Sequence, residues 1–289
     1  MLKPLIILLL LSCPALAETQ KVRLGARFYV IELPARAQGA PIILALHGGG
    51  GDPAQFASAS GLGPVANRAG YAVIFAAGSG RRGDKLLTWN SGYCCAYAAR
   101  AGTDDLAFLT AVVADATARF GLDGNRLYLT GMSNGSMMAE LYAAKNPGRV
   151  KAVAAVSGTM DVGRTRVRGP VPLLIIHGSA DQNVPYGGGQ GDSALTNTDF
   201  ASVDAVVAAF LAPWPGPLAT TTREIDARDD GTSVTVTDYS AKGRIVLRLQ
   251  RVEGGGHHWP GGRKERLTTG KTEEITANAE ALRFFALHP

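Results

Sequence analysis

The sequence predicts an α/β protein in which a mostly parallel β-sheet is covered by helices. Short apolar runs rich in Val, Ile and Leu alternate with longer segments of helical period, which is typical of parallel strands connected by helices. Most of these runs are nearly continuous, as expected of strands buried on both faces. Hydrophobic residues make up 46% and charged residues 18% of the 289 residues, so the composition excludes a disordered chain.

The predicted strands are short and are bounded by turn residues. They cover residues 28–33, 41–46, 71–75, 126–130, 150–156, 171–176, 233–239 and 245–252. The second to sixth of them are near-continuous apolar runs. Residues 28–33 alternate in polarity, and residues 233–239 follow the turn residues Asp229, Asp230 and Gly231.

Apolar residues at helical spacing predict five helices between these strands. The strongest signal is residues 104–120, where Leu106, Leu109, Val113 and Ala116 form one apolar stripe and Thr103 is the expected cap. The predicted helices cover residues 55–69, 104–120, 134–145, 199–211 and 272–285. Residues 77–103 are predicted as a structured loop that borders a site, and the Gly-, Pro- and Thr-rich residues 187–198 and 213–222 as further loops. No linker, repeat or second domain is indicated.

Residues 1–17 have the pattern of a secretory signal peptide. Lys3 precedes an apolar run that ends in Ala15, Leu16 and Ala17, a small-x-small cleavage pattern. We therefore expect residues 18–289 to form one exported domain, in the periplasm or the medium. An alternative is lipoprotein processing, which would leave Cys13 as a lipid-carrying terminus. The apolar run is too short to span a bilayer, and no membrane association is expected after cleavage.

The charge pattern does not indicate a nucleic-acid partner. The net charge is only +5, and the cations form short groups without interleaved aromatic residues that could stack on bases. Solvated surfaces explain these groups, which are Arg81, Arg82 and Lys85; Arg164, Arg166 and Arg168; and Arg263, Lys264 and Arg266. Signal cleavage leaves two cysteines, Cys94 and Cys95. In an oxidising compartment we expect them to form a vicinal disulfide, with two buried thiols as the alternative.

The strongest functional signal is a strand that runs into Gly131-Met132-Ser133-Asn134-Gly135 and then into a helix. This is the pattern of a nucleophile elbow, in which the serine lies at a tight, strained turn and neighbouring chain leaves no room for side chains at the two glycines. The helix after Ser133 directs its amides, led by that of Asn134, at the reaction centre, where they can bind the oxyanion of a tetrahedral intermediate.

A serine nucleophile needs a base and an orienting carboxylate, which this architecture supplies in the order Ser, Asp, His. Asp181 follows the strand at 171–176, at the carboxyl end where open α/β sheets form their sites. Its alternative role is a turn or cap aspartate. His257 follows the last strand in a Gly-rich loop, and its neighbour His258 is the alternative base.

The glycines after the strand at 41–46 predict the second half of an oxyanion hole. His47-Gly48-Gly49-Gly50-Gly51 resembles an HGGG-type loop, with the amide of Gly49 as donor and His47 as a scaffold residue. A phosphate loop is excluded because no Gly-Lys-Ser/Thr follows, and His257 and His258 do not have the spacing of a zinc motif. The chemistry requires no metal and no organic cofactor.

Several motifs together resemble the secreted esterases that include polyhydroxybutyrate depolymerases, feruloyl esterases and LpqC-like esterases. They are LHGGGGD, TWNSGYCC, TDDLAFL, GMSNGSMM, HGSADQNVPYGGG and GGGHHWPG, and they cover nearly the whole mature chain. The resemblance implies a single-domain α/β-hydrolase fold, with Ser133 as nucleophile, Asp181 as acid and His257 as base. It implies that His258 is a wall residue.

The expected function is hydrolysis of carboxylic esters through an acyl-enzyme. The substrate classes are polyhydroxybutyrate-type polyester or its oligomers and feruloyl esters of plant polysaccharide, with acetylated xylan, peptides or a non-catalytic binding role as alternatives. Trp89 and Trp259 lie beside the predicted site in sequence and can stack on a substrate ring, or can simply be packed in the core. The expected partner is the ester substrate alone, bound by a monomer.

Overall fold

The computed structural model describes residues 19–194, 196–263 and 270–289. Ten strands form one sheet in the order β1-β2-β4-β3-β5-β6-β7-β10-β9-β8. The predicted signal peptide, residues 1–17, and the cations Lys264 and Arg266 lie outside the described residues. The strands are β1 (Thr19–Leu24), β2 (Arg27–Glu32), β3 (Pro41–Leu46), β4 (Ala72–Ala76), β5 (Asp123–Met132), β6 (Ala152–Val156), β7 (Leu173–Gly178), β8 (Leu218–Ile225), β9 (Ser233–Ala241) and β10 (Arg244–Glu253).

The centre of the sheet is parallel and its edges are antiparallel. Strands β4, β3, β5, β6, β7 and β10 pair in parallel, whereas β1 and β2 at one edge and β9 and β8 at the other pair antiparallel. Every residue of β4, β6 and β7 is buried, as the continuous apolar runs predict. The predicted α/β class with a mostly parallel sheet is therefore confirmed.

Helices cover both faces of the sheet. Buried residues of α4, α5 and α6 pack on one face with alternate residues of β3 such as Ile42 and Leu44. Those of α1, α2 and α7 pack on the other face with Ile43 and Ala45. The helices are α1 (Pro53–Ser60), α2 (Leu62–Arg68), α3 (Ala96–Ala101), α4 (Asp105–Phe120), α5 (Asn134–Lys145), α6 (Val203–Leu211) and α7 (Ala277–Ala286), and the turn Pro147–Arg149 is a 3₁₀ helix.

Several element boundaries differ from the sequence prediction. The helix predicted at 55–69 is two helices, because Gly61 takes the left-handed conformation at φ 61° between α1 and α2. Asp104 rather than Thr103 caps α4, accepting a hydrogen bond from the amide of Ala107 at 2.9 Å. The segment 213–222, predicted as a loop, contains most of β8. Its Thr-rich sequence is polar because β8 is an exposed edge strand paired only with β9.

One buried ion pair connects the start of α4 to strand β2 of the sheet. Arg27 of β2 contacts Asp105 of α4, with a guanidinium nitrogen 2.6 Å from the carboxylate. Arg27 also donates to the carbonyl of Ala77 and lies over the ring of Phe108. The second oxygen of Asp105 accepts hydrogen bonds from the amide of Asn90 and from the hydroxyl of Thr103. This network anchors the long loop at 77–103.

Among the described residues, no helix is both long enough and apolar enough to cross a membrane.

We predict that Arg27→Met destabilises the protein strongly, because it leaves the carboxylate of Asp105 buried without its cation. The expected loss in the free energy of unfolding is about 3 to 5 kcal/mol, measured by urea denaturation. Arg23→Met is the matched control, since Arg23 pairs with Asp84 at the surface, and it should cause a much smaller loss. Equal losses in the two variants would contradict the role assigned to the buried pair.

Candidate active site

The elbow predicted at Ser133 is present at the carboxyl end of β5. Ser133 precedes α5 and has φ 54° and ψ −123°, a backbone conformation that non-glycine residues rarely adopt. Its amide donates to the carbonyl of Val156 at the end of β6. The strain is therefore held by neighbouring strands, and it directs the serine side chain into a cavity above the sheet.

Close backbone packing explains the two glycines of the elbow. A Cβ at Gly135 would collide with the carbonyls of Leu46 and His47, at the end of β3. A Cβ at Gly131 would lie about 2.5 Å from the carbonyl group of Gly135. Helix α5 can thus begin directly against the loop that follows β3, which brings the Gly-rich loop next to Ser133.

The side chain of Asn134 joins the elbow to the long loop. Its Oδ1 accepts a hydrogen bond from the amide of Trp89 at 2.7 Å, and its Nδ2 donates to the carbonyl of Trp89 at 3.1 Å and to Ser91 Oγ at 3.3 Å. Asn134 is 1% exposed, so water does not compete for these bonds. Sequence reasoning assigned a role only to the backbone amide of Asn134; the side chain clamps the loop at 77–103 to the start of α5.

Trp89, expected either to stack on a substrate ring or to pack in the core, lies in the core and does not line the cavity at Ser133. The Trp89 ring is fully buried, and its indole N–H donates to the carbonyl of His47 at 2.9 Å. Trp259 is also buried; its indole donates to Asn278 Oδ1 and its ring packs edge-on against Phe56. Trp259 lines a neighbouring cavity of about 280 Å³ rather than the cavity at Ser133.

Asp181 and His257 meet at the carboxyl ends of β7 and β10. His257 Nδ1 lies 2.8 Å from Asp181 Oδ2, and the other carboxylate oxygen accepts hydrogen bonds from the amides of Asn183 and Val184. Burial alone would raise the pKa of Asp181, but the hydrogen bond and charge of His257, with help from His177, outweigh it and lower that pKa. Asp181 is therefore an ionised, fixed partner, and its shortest contact with an imidazole is the one with His257.

The structure adds His177, which sequence reasoning did not assign. His177 is fully buried at the end of β7, with Nε2 2.8 Å from the carbonyl of Val184 and 3.5 Å from Asp181 Oδ2. Burial lowers its pKa, so this imidazole is neutral and braces the turn that carries Asp181. Its place four residues before Asp181 at a strand end is the signal that could have identified it.

His258 faces away from Asp181. Its Nδ1 lies 3.1 Å from the carbonyl of Gly256, and its Nε2 accepts a hydrogen bond from the amide of Thr272. Burial lowers its pKa. These contacts fit the wall residue that the resemblance implies and leave His257 as the imidazole that both pairs with Asp181 and borders the cavity.

Two backbone amides at the cavity are free to bind an oxyanion. The N–H groups of Gly49 and Asn134 donate no hydrogen bond within the part of the chain that the structure describes. The loop is held on either side of Gly49, since Gly50 donates to the carbonyl of Leu87 and Gly51 to that of Gly48. His47 fixes the loop from below, as Nδ1 contacts the carbonyl of Gly48 and Nε2 accepts from the amide of Gly78.

The cavity at Ser133 has a volume of about 320 Å³. Its floor contains the loop at 48–51, Ser133 and His257, and its walls come from several other segments. The apolar wall residues are Phe56, Met132, Met137, Val184, Ala194 and Phe200. Cys94 and Cys95 also line it, joined by a cis peptide bond and with their sulfur atoms in contact; their vicinal disulfide stays a prediction.

We predict that Asn134→Ala lowers kcat by about 10- to 100-fold, with KM changed by no more than about twofold. The substitution keeps the backbone amide but releases the loop at Trp89, so the donor loses its orientation. Asn125→Ala, at an exposed asparagine, is the matched control and should retain full activity. An unchanged kcat on a p-nitrophenyl ester would show that the side-chain clamp does not position the site.

We also predict a pH-dependent stability that arises from His47. Burial lowers the pKa of His47 from 6.5 to about 4. Between these values the unfolded chain binds a proton that the folded chain does not, so stability must fall as the pH drops from about 6.5 towards about 4.

His47→Gln should therefore flatten this slope, by up to about 1.4 kcal/mol per pH unit. Urea denaturation at a series of pH values across that window checks this. An identical slope in the wild type and in His47→Gln would rule out the neutral, buried state of His47. The remaining slope is the sum over the other groups with shifted pKa values, among them the buried His177 and Glu140.

Solved structures with similar folds are esterases and a protein of Thermus thermophilus. An acetyl xylan esterase from Aspergillus awamori superposes with a TM-score of 0.61 at 15% identity, over 93% of this chain and 99% of that protein. TT1662 from Thermus thermophilus superposes with a TM-score of 0.53 at 22% identity, over 94% of this chain and 96% of that protein. At these identities the likeness shows the fold, and the predicted α/β-hydrolase architecture is confirmed.

Sequence relatives and a family model define the family. NocK of Nocardia uniformis subsp. tsuyamanensis, named as an esterase, is 30% identical in an alignment of 258 residues that covers 79% of this chain and 68% of NocK. A protein of Aspergillus clavatus named as feruloyl esterase C is 28% identical over 176 residues, 59% of this chain and 60% of that protein. The family model described as "Esterase PHB depolymerase" matches residues 28–171. The chain therefore belongs to the esterase PHB depolymerase family and is an esterase of the α/β-hydrolase type.

Proposed function

We propose that this esterase cleaves carboxylic esters with Ser133 as nucleophile, His257 as general base and Asp181 as the residue that orients the imidazole. The observation that carries the proposal is the 2.8 Å contact between His257 Nδ1 and Asp181, at a cavity lined by both His257 and the strained Ser133. Because Nδ1 is engaged by the carboxylate, Nε2 is the nitrogen available to the serine hydroxyl.

The proposed reaction is an acyl transfer in two halves. Ser133 Oγ attacks the ester carbonyl while His257 Nε2 takes the hydroxyl proton, and the tetrahedral intermediate collapses as the imidazolium protonates the leaving alcohol. Water then gives its proton to the same nitrogen and attacks the acyl-enzyme, and the proton returns to Ser133 as the acid leaves. Asp181 stays ionised throughout and stabilises the imidazolium.

The oxyanion of both intermediates is bound by backbone amides in this proposal. The donors are Gly49 and Asn134, whose N–H groups have no acceptor within residues 19–194, 196–263 and 270–289. Each such donor typically contributes about 2.7 to 4 kcal/mol of transition-state stabilisation. The start of α5 adds the favourable end of its dipole.

The walls of the cavity favour an acyl group with an apolar, planar body. Phe56 and Phe200 offer aromatic surfaces, and Met132 and Met137 offer adaptable thioethers. We therefore place hydroxycinnamoyl esters, such as feruloyl groups, first among the substrates. Feruloyl esterase is the name of a relative of this chain in Aspergillus clavatus and of another in Piromyces equi, which is 30% identical over 172 residues.

Oligomers of 3-hydroxybutyrate are the second candidate substrate, because the matched family model is described as a polyhydroxybutyrate depolymerase esterase. Acetylated xylan and peptides are the alternative substrates, represented in the test below by p-nitrophenyl acetate and a peptide anilide. We also propose that the enzyme is exported as a monomer after removal of residues 1–17. N-terminal sequencing of the exported protein distinguishes cleavage after Ala17 from processing at Cys13.

We predict that Ser133→Ala and His257→Gln each lower kcat/KM by at least about 1,000-fold. His258→Gln is the matched control for His257→Gln, because His258 is adjacent but hydrogen-bonded away from Asp181, and it should keep most of the activity. Initial rates would be measured on methyl ferulate, 3-hydroxybutyrate oligomers, p-nitrophenyl acetate and butyrate, and a peptide anilide.

The preferred substrate decides among the proposed classes, with methyl ferulate expected to be cleaved fastest. Full activity in Ser133→Ala, or a greater loss in His258→Gln than in His257→Gln, would overturn the triad. Faster cleavage of the anilide than of any ester would overturn the substrate class.

A further inference from the structure

A further cavity lies at the end of the sheet where the parallel strands begin, opposite the end that carries Ser133. Its volume is about 520 Å³, and it shares no lining residue with the cavity at the candidate active site. It lies where β6, β7 and β10 begin, beside Lys151, Pro172 and Arg244. Asp181 and His257 follow the other ends of β7 and β10, and Ser133 follows the same end of β5, so a strand length, on the order of 20 Å for six residues, separates the two sites.

Cations outnumber anionic groups in the described lining of this cavity, which includes Pro289, the last residue of the sequence, with its terminal carboxylate. Lys151, Lys242 and Arg244 line it, and no aspartate or glutamate is among its described lining residues. Within the described ranges none of these three cations forms an ion pair. Arg244 donates one long hydrogen bond, 3.4 Å, to the carbonyl of Leu287. The guanidinium therefore retains most of its donors for an anion.

Two buried side-chain nitrogens in the same cavity have no hydrogen-bond partner. They are Nε1 of Trp214 and Nε2 of His288, and His288 is only 7% exposed. Burial and the charge of Arg244 lower the pKa of His288 to about 4, so its ring is neutral near pH 7. Buried polar atoms normally find a partner. Because both nitrogens belong to residues that line this cavity, a molecule bound there would supply their missing hydrogen-bond partners.

The remaining lining residues are rigid and apolar. Pro170, Pro172, Pro215 and Val246 form the walls beside the Trp214 ring. The volume is in the range of pockets that hold small organic ligands. An inorganic anion would satisfy the cations but leave these walls uncovered, whereas a molecule with a planar ring and one carboxylate would use both surfaces.

We propose that this cavity is a binding site for a small aromatic carboxylate. The carboxylate pairs with Arg244 and accepts the indole N–H of Trp214, while Lys151 and Lys242 add favourable charge at the rim. The ring packs against the prolines and Val246, and a hydrogen bond between the ligand carboxylate and Nε2 of His288 completes the polar contacts. The proposal depends on none of the catalytic assignments.

The test uses trans-cinnamate as the probe and ¹⁵N-labelled full-length mature protein. The chain has three tryptophans, so three indole N–H signals report separately on the two buried rings and on Trp214, whose signal Trp214→Phe identifies. We expect a saturable shift of the Trp214 signal and none for Trp89 or Trp259. By calorimetry, Trp214→Phe and Arg244→Gln should each weaken cinnamate binding by about tenfold.

Arg223→Gln is the matched control, because Arg223 is an exposed cation on the edge strand β8 and does not line the cavity; its affinity should equal that of the wild type. If Arg244→Gln does not fold, Lys242→Gln replaces it. No saturable shift of the Trp214 signal, or unchanged affinity in Trp214→Phe and the cation variant, would overturn the proposal. An equal response to inorganic phosphate would overturn the aromatic ligand class.

Discussion

The site depends on one buried contact, the amide side chain of Asn134 against the main chain of Trp89. Asn134 begins α5, Trp89 belongs to the loop after β4, and the indole of Trp89 donates to the carbonyl of His47 after β3. Three strand ends are thereby joined through side chains that water does not reach. Close packing of Gly135 against Leu46 and His47 completes the junction. The amides of Gly49 and Asn134, which we propose as the oxyanion donors, are thus oriented by buried contacts.

Burial distinguishes His257 from the other histidines near the carboxyl ends of the strands. His257 both pairs with Asp181 and lines the cavity. His47, His177 and His258 each contact backbone groups and are buried, and burial lowers the pKa of each. They act as neutral braces for the loops. His257 is partly exposed and pairs directly with Asp181, an arrangement that suits proton transfer.

The parallel centre of the fold and the elbow could be predicted because their causes are local. Continuous apolar runs identify strands buried on both faces, and the glycines beside Ser133 are dictated by contact between neighbouring backbones. The edge strands β1 and β8 could not be predicted. Their sequences are polar, and they form strands because they pair with β2 and β9. The buried position of Trp89 could not be predicted for a similar reason. Its main chain is held by Asn134 and its indole by the carbonyl of His47, both distant in the sequence.

Chemistry and substrate fit are carried by separate parts of this chain. Ser133, Asp181 and His257 are fixed by strand ends and by backbone contacts that tolerate little change. Much of one cavity wall, by contrast, comes from the single connection between β7 and α6, through Val184, Thr196 and Phe200. The part of that connection that follows Val184 lies beyond the turn that holds Asp181, so it is the natural region for divergence or for directed evolution of the cavity wall.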